Sequence, residues 1–389
     1  MIREIQIENF KSIPSLKLEL GRFNVFIGSN GSGKSNILEA ITLGISVNEV
    51  KLTNEFLSTR GIRMTEPSLM QSAFEKANFD NDIKIQFIND KNESVSYSIK
   101  WHDHIHEWRD AYLVDVENLI GSESTTELNV LNEGSTDYRK TIPKSGKDLA
   151  IEREFGYQEK KIATNKFLIE NSLSNFLIFA PENYFLRNFT ENQIKPLGIR
   201  GEGLFEHLAA ISLKKPEILE SVKESLKLIE WFEDLEFDRA ADGYFTGRIK
   251  IKDIYLEEGI KYFDQKSANE GFLYLLFYLT LFISDDTPKF FAIDNVDNSL
   301  NPKLASDLMK VLADLAEKHD KQVIFTTHNP AILDGLNLND PEQRLFVISR
   351  NAVGHTKALR IEQKLSQGNG QVVKLSEKFL RGYIGGLNF

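Results

Sequence analysis

Gly28-Ser29-Asn30-Gly31-Ser32-Gly33-Lys34-Ser35 reads G-x-x-x-x-G-K-S, and its flanks give it a structural context. Before it, Phe23-Asn24-Val25-Phe26-Ile27 is a short apolar run of strand type. After it, Asn36-Ile37-Leu38-Glu39-Ala40-Ile41 opens a helical pattern. Strand, glycine-rich loop and helix in that order make a phosphate cradle. The glycines let backbone N–H groups turn inward around a phosphate chain, and the helix N-terminus adds partial positive charge. Lys34 would then reach the β- and γ-phosphates, and Ser35 would ligate Mg²⁺. The sequence therefore implies a nucleotide site, with ATP and magnesium as the expected cofactors.

Composition limits what surrounds that site. A chain of 389 residues can hold one large α/β domain or two modest ones. Hydrophobic content of 41% and a mean hydropathy of −0.30 fit a soluble globular protein. The densest apolar run, Phe272 to Ile283, is too short to span a bilayer and reads as a buried helix. The N-terminus enters a strand almost at once, leaving no room for a signal peptide. With no cysteines, disulfides, zinc–thiolate sites and thiol catalysis are excluded, and a cytoplasmic location is expected. The net charge of −10 means that any DNA contact needs a local basic patch.

Working outward, Ile2 to Phe10 and the alternating Leu16, Leu18 and Leu20 suggest two strands, turned at Pro14. They are expected as an antiparallel pair beside the Phe23–Ile27 strand. Ile83 to Phe87 and Val95 to Ile99 alternate around a polar turn and predict a hairpin. His102, His104 and His106 share a period of two, which reads as a metal set or as an exposed polar strand end. Residues 139–166 carry the densest basic charge, readable as a nucleic-acid contact or as a solvated insertion.

Further on, Phe176–Phe179 is a short buried strand, and Leu204 to Trp231 has helical periodicity broken at Lys215-Pro216. Ile249 and Ile251, with Ile254 and Leu256, predict another strand pair. Phe290–Ile293, Val323–Thr327 and Leu345–Ile348 are buried strands, with an amphipathic helix over Leu304–Lys318. Helices alternating with fully apolar strands predict an α/β fold with a largely parallel sheet covered on both faces. No sustained heptad predicts a coiled coil.

A P-loop needs a carboxylate at the end of a neighbouring strand, and Asp294 takes that place as a magnesium ligand. Most ATPases of this build follow it with a glutamate; here Asn295 stands instead. An amide positions water but accepts no proton, so Asp297 is the nearest substitute base. His328, closing Thr326-Thr327-His328-Asn329-Pro330, is expected to sense the γ-phosphate. Hydrolysis should accordingly be slow or absent.

G-S-N-G-S-G-K-S-N at 28–36, I-D-N-V-D-N-S-L-N-P at 293–302 and T-T-H-N-P at 326–330 resemble the ABC-type ATPase heads of the SMC/RecF/OLD class. In bacteria that class includes AAA family ATPases of phage-defence systems. The opening I-Q-I-E-N-F-K-S, P-L-G-I-R-G-E-G at 196–203 and R-G-Y-I-G-G-L at 381–387 are similar to it as well. The resemblance implies a P-loop NTPase head with a mixed or parallel sheet core, an antiparallel N-terminal β subdomain and a helical insertion. It divides the chain at 1–101, 102–175 and 176–389. It implies head-to-tail homodimers or higher homo-oligomers, each nucleotide meeting the partner's signature loop. The matching place is Ser267-Ala268-Asn269-Glu270-Gly271, where Asn269 replaces the usual serine and Gly271 follows. Lys11 would approach the nucleotide, with Asn36 closing the P-loop motif, and Glu182 lies where the class has a glutamine.

Two functions follow. One is an ATP-binding, slowly hydrolysing ATPase that controls a separate effector, a nuclease being the expected kind, in antiphage defence; DNA is not required and no membrane is involved. The alternative is a RecF-like, ATP-gated DNA-binding protein of repair. A transporter ATPase is disfavoured, because it would want an orthodox signature loop and a glutamate after Asp294.

Overall fold

The computed structural model describes residues 1–47, 52–63, 65, 67–72, 81–102, 107–117, 160–189, 196–257, 262–362 and 373–385. Its centre is a six-stranded sheet in the order β14-β13-β3-β12-β11-β7. These strands are β3 (Phe23–Ile27), β7 (Ile178–Phe179), β11 (Phe290–Ile293), β12 (Gln322–Thr327), β13 (Gln343–Arg350) and β14 (Thr356–Ile361). All neighbours run parallel except β14, which pairs antiparallel with β13 at one edge. Every residue of β3, β11 and β12 is buried, which is why these strands read as mainly apolar runs rather than alternations.

The sheet has two covered faces. Phe23, Val25 and Ile27 of β3 face one core with α5 (Leu204–Lys214), α6 (Pro216–Leu226), α7 (Glu270–Ile283) and α8 (Pro302–Lys318). Phe26, Ala292 and Ile324 face the other, which contains α1 (Lys34–Ser46). Twelve of the fourteen residues of α7, from Phe272 to Ile283, are buried, so its apolar run is a core helix. Lys215-Pro216 divides α5 from α6, with proline at the first turn where its missing N–H costs nothing.

The opening strands do not join the P-loop strand's sheet. β1 (Ile2–Phe10) and β2 (Ile13–Glu19) pair antiparallel, as the alternation predicts. Their sheet is a separate one, in the order β2-β1-β4-β5-β6, with β4 (Ile83–Asn89), β5 (Ser94–His102) and β6 (Glu107–Glu117). Its apolar face, Ile5, Ile7, Ile85 and Phe87, shares a core with α1. The expected neighbour relation fails because β1 takes β4 as its second partner, 81 residues on by first residue, and α1 fills the space between the sheets. Gln322 ties the two together: its side chain accepts from Ile2 N at 3.2 Å and donates to Ile2 O at 2.7 Å.

A third sheet, β10-β9-β8, corrects the other expectation. β9 (Phe245–Asp253) pairs with β8 (Phe232–Arg239) and β10 (Phe263–Asp264). Ile254 and Leu256 lie beyond β9, in a turn where Asp253 accepts from Tyr255 N through its side chain and from Leu256 N through its carbonyl. α2 (Asn54–Thr59), the helical residues 160–170 as α3, α4 (Asn183–Arg187) and α9 (Leu375–Leu380) complete the described elements. Asp103 to His106 and residues 139–159 lie outside the described residues, and with them His104 and His106 of the histidine set and most of the basic stretch; His102 ends β5. Among the described residues no helix is long and apolar enough to cross a membrane.

Candidate functional site

The P-loop leaves the carboxyl end of β3, the central position of its sheet, where an open α/β sheet presents its crevice. Two glycines have geometric reasons to be there. A Cβ on Gly28 would stand 2.1 Å from Ile348 O. Gly33 has φ +107°, and a Cβ on it would stand 2.0 Å from Thr356 Oγ1. Thr356 is packed there because it buttresses the loop: its hydroxyl donates to Ser32 O at 3.1 Å and meets Ser12 Oγ at 2.7 Å. Asn36 Nδ2 donates to the same Ser12 oxygen at 2.7 Å. No side chain caps the first turn of α1, so its orphan N–H groups are available to an anion.

Lys34 bends back over the loop, donating to Gly28 O at 2.7 Å and Ser29 O at 3.0 Å. Burial lowers its pKa, opposed by Asp294 and Asp297. Asp294 ends β11 and comes to the opposite side of the loop. Ser35 Oγ lies 3.1 and 3.3 Å from its two carboxylate oxygens, across 259 residues of chain. Thr326, fully buried at the end of β12, holds that carboxylate in place: its hydroxyl donates to Asp294 and accepts from Asn295 N at 2.9 Å. Serine hydroxyl and aspartate oxygen are hard donors, so Ser35 and Asp294 could hold a Mg²⁺ ion. Among the described residues no cluster of three His, Cys, Asp or Glu could hold a metal.

Lys11, Asn30 to Asn36, Arg63, Thr65, Asp294, Asn295 and Arg350 line one cleft of about 510 Å³. Its fixed charges are four cations and one carboxylate, the balance a polyphosphate needs. A second cavity, of about 480 Å³, shares Ser35, Arg63 and Asp294 with it and extends past Glu182, Arg200 and Glu202. Asn295 has φ +57°, a left-handed conformation that asparagine tolerates better than most residues. Asp297 accepts from Thr327 Oγ1 at 2.6 Å and lies 3.7 Å from His328 Nε2.

A family described as "AAA domain, putative AbiEii toxin, Type IV TA system" matches residues 23–334, well over half of the chain. The chain belongs to that AAA domain family. More broadly it is an ATPase head of the SMC/RecF/OLD class. The DNA replication and repair protein RecF of Thermoanaerobacter sp. (strain X514) is 23% identical over 67% of this chain and 65% of its own length. The uncharacterized protein MJECL10 of Methanocaldococcus jannaschii is 35% identical over 26% of this chain and 51% of its own. The chain thus spans less than two thirds of either relative. The Smc head domain with an extended coiled coil, bound to the C-terminal domain of ScpA and derived from Pyrococcus furiosus, superposes with a TM-score of 0.50. That match covers 93% of this chain and 96% of that one at 14% identity, a likeness of fold alone.

In this AAA domain the sequence-derived residues fall into three groups. Lys11, the loop from Gly28 to Ser35, Asn36, Asp294 and Asn295 come together at the cleft. Asp297 and His328 face each other beside it without lining it; His328 is half-exposed. Asn269 and Gly271 sit apart from the cleft of their own chain, at the N-terminus of α7. There Asn269 accepts from Phe272 N at 2.8 Å, and Gly271 packs near Ser299 O. Sequence reading missed Arg63, Arg350, Thr326 and Glu39. Glu39 alone carried a signal, a carboxylate inside the apolar run Ile37 to Ile41.

Proposed function

We propose that this AAA domain binds ATP with Mg²⁺ in the Lys11–Arg350 cleft, hydrolyses it slowly, and uses the bound state to control a separate effector, a nuclease in antiphage defence. The observation that carries this reading is Ser35 Oγ within 3.1 Å of Asp294, a strand-end carboxylate from the opposite half of the chain. In this reading Lys34 exchanges its two loop carbonyls for phosphate oxygens. Ser35 and Asp294 hold Mg²⁺, which neutralises phosphate charge when bound. Asn295 orients a water but takes no proton from it, so the attack lacks a general base worth about 10²–10⁴ in rate. The Asp297–His328 pair lies next in line, with Asp297 already engaged by Thr327.

Homodimerisation through Asn269 and Gly271, or a higher homo-oligomer, belongs to the same proposal: both residues stand at the start of a helix away from their own cleft. The division into 1–101, 102–175 and 176–389 is likewise proposed. The toxin–antitoxin description of the family supports an output exerted on another component of the cell. The RecF-like reading, ATP-gated DNA binding, draws on the relative that aligns with 67% of this chain. Titration of the purified chain with a fluorescent ATP analogue tests the site: binding that Lys34→Ala abolishes is expected, and unchanged affinity would refute it. Tight ATP-dependent binding of non-specific DNA at physiological salt would favour the RecF-like alternative.

A further inference from the structure

Glu39 is a carboxylate 2% exposed within the apolar core around α1, one turn beyond Ser35. Each of its oxygens is committed to a different cation. Oε2 takes the Lys11 ammonium at 2.5 Å. Oε1 takes Arg63 Nε at 3.0 Å and Arg63 N at 3.4 Å. The two cations come from separate parts of the chain. Lys11 sits in the turn between β1 and β2, where its φ of +46° and its N–H bond to Met70 O fix the direction of departure. Arg63 follows α2 and stays 68% exposed, with only its backbone and Nε spent on Glu39. Both line the P-loop cleft with Gly31 to Ser35.

A buried carboxylate is costly unless it is paired, and this one is paired twice over, so the cluster keeps a net positive charge. Lys11 and Arg63 both carry that surplus into the phosphate cleft. We infer that Glu39 is a positioning residue: it draws Lys11 and Arg63 from two distant segments into a second phosphate clamp, opposite the P-loop. The clamp's ligand is the polyphosphate of the bound nucleotide, so the inference rests on the nucleotide-binding reading above. Arg63 contributes its terminal guanidinium nitrogens, which bond no other described residue, and Lys11 its remaining ammonium protons. Glu39 itself touches no phosphate.

Equilibrium titration with a fluorescent ATP analogue, with Tm measured on each variant, tests the clamp. Arg63→Gln removes an exposed side chain, so it should fold like the parent and lose about tenfold in affinity, as expected for one charge-assisted contact. Glu39→Gln alone should weaken binding by a similar factor or more. In a Lys11→Met, Arg63→Gln background the same Glu39→Gln change should cause no further loss, because Glu39 supports binding only through those two side chains. An unchanged affinity in Arg63→Gln overturns the clamp. An additive loss from Glu39→Gln in the double-variant background also overturns it, since that marks a general structural role. The two readings separate cleanly. A parent protein that binds no nucleotide defeats the ATPase site. A parent whose binding is lost in Lys34→Ala but kept in Arg63→Gln defeats the clamp alone.

Discussion

Replacing Asn295 with glutamate restores the proton acceptor that the strand end lacks. The cost can be read from the backbone. Asn295 is left-handed, at φ +57°, with its N–H bonded to Thr326 Oγ1. Glutamate has no local side-chain compensation for that conformation, so strain of about 1 kcal/mol is expected. In a chain of this size that lowers Tm by about 2 °C. The gain is a general base, worth about 10²–10⁴ in rate when well placed. A loop not shaped for the longer side chain gives back about 10² of that through misplacement of the order of 1 Å. Taking a base worth about 10³, the middle of that range, the net expectation is a rise in turnover of about tenfold. Phosphate release at saturating ATP and Mg²⁺ measures it, with Tm on the same samples. Turnover within about twofold of the parent, in a variant that folds and binds ATP, would refute the argument that the missing base limits the rate.

Two other perturbations test the packing around the loop and at His207. Gly33→Ala puts a methyl group 2.0 Å from Thr356 Oγ1 at a φ of +107°, so the loop must open. Nucleotide affinity should fall at least about a hundredfold, and Tm should fall with a loss of about 2 kcal/mol or more; parental affinity by titration would contradict the packing. His207 is held below the ordinary histidine pKa by burial, with Nε2 2.9 Å from Ser284 Oγ. The folded state then binds fewer protons than the unfolded one below about pH 6.5. Stability from this group is complete above that pH and is lost as pH falls toward its depressed folded value. His207→Asn should flatten the decline in Tm between about pH 7 and pH 5, and an identical slope would remove His207 as its cause.

The parts of the molecule that were legible in the sequence are those whose information is local. β3, β11 and β12 are buried on both faces, so each shows as a mainly apolar run without alternation, Asn24 being the one polar residue inside β3. β8 was not legible, because register shifts between Phe232 and Asp234 and between Phe237 and Arg239 break the two-residue period of its apolar side chains. β14 was missed for a different reason: it is an edge strand whose residues after Thr356 are mostly half-buried or exposed. Which sheet β1 and β2 join is decided by β4, a non-local pairing that no window of sequence contains. The site divides the same way. Lys34, Ser35 and Asp294 announce themselves by motif and strand end. Thr326 and Arg63 acquire their roles only when β12 and the segment after α2 arrive beside Asp294 and Glu39.

The central claim is that two ends of one polypeptide meet on a single magnesium-bound triphosphate. Its most direct measurement is ATP affinity with and without Mg²⁺, in the parent and in Asp294→Asn. The parent should bind more tightly with magnesium, and Asp294→Asn should lose that dependence while keeping its magnesium-free affinity. A variant that responds to Mg²⁺ as the parent does would contradict the claim.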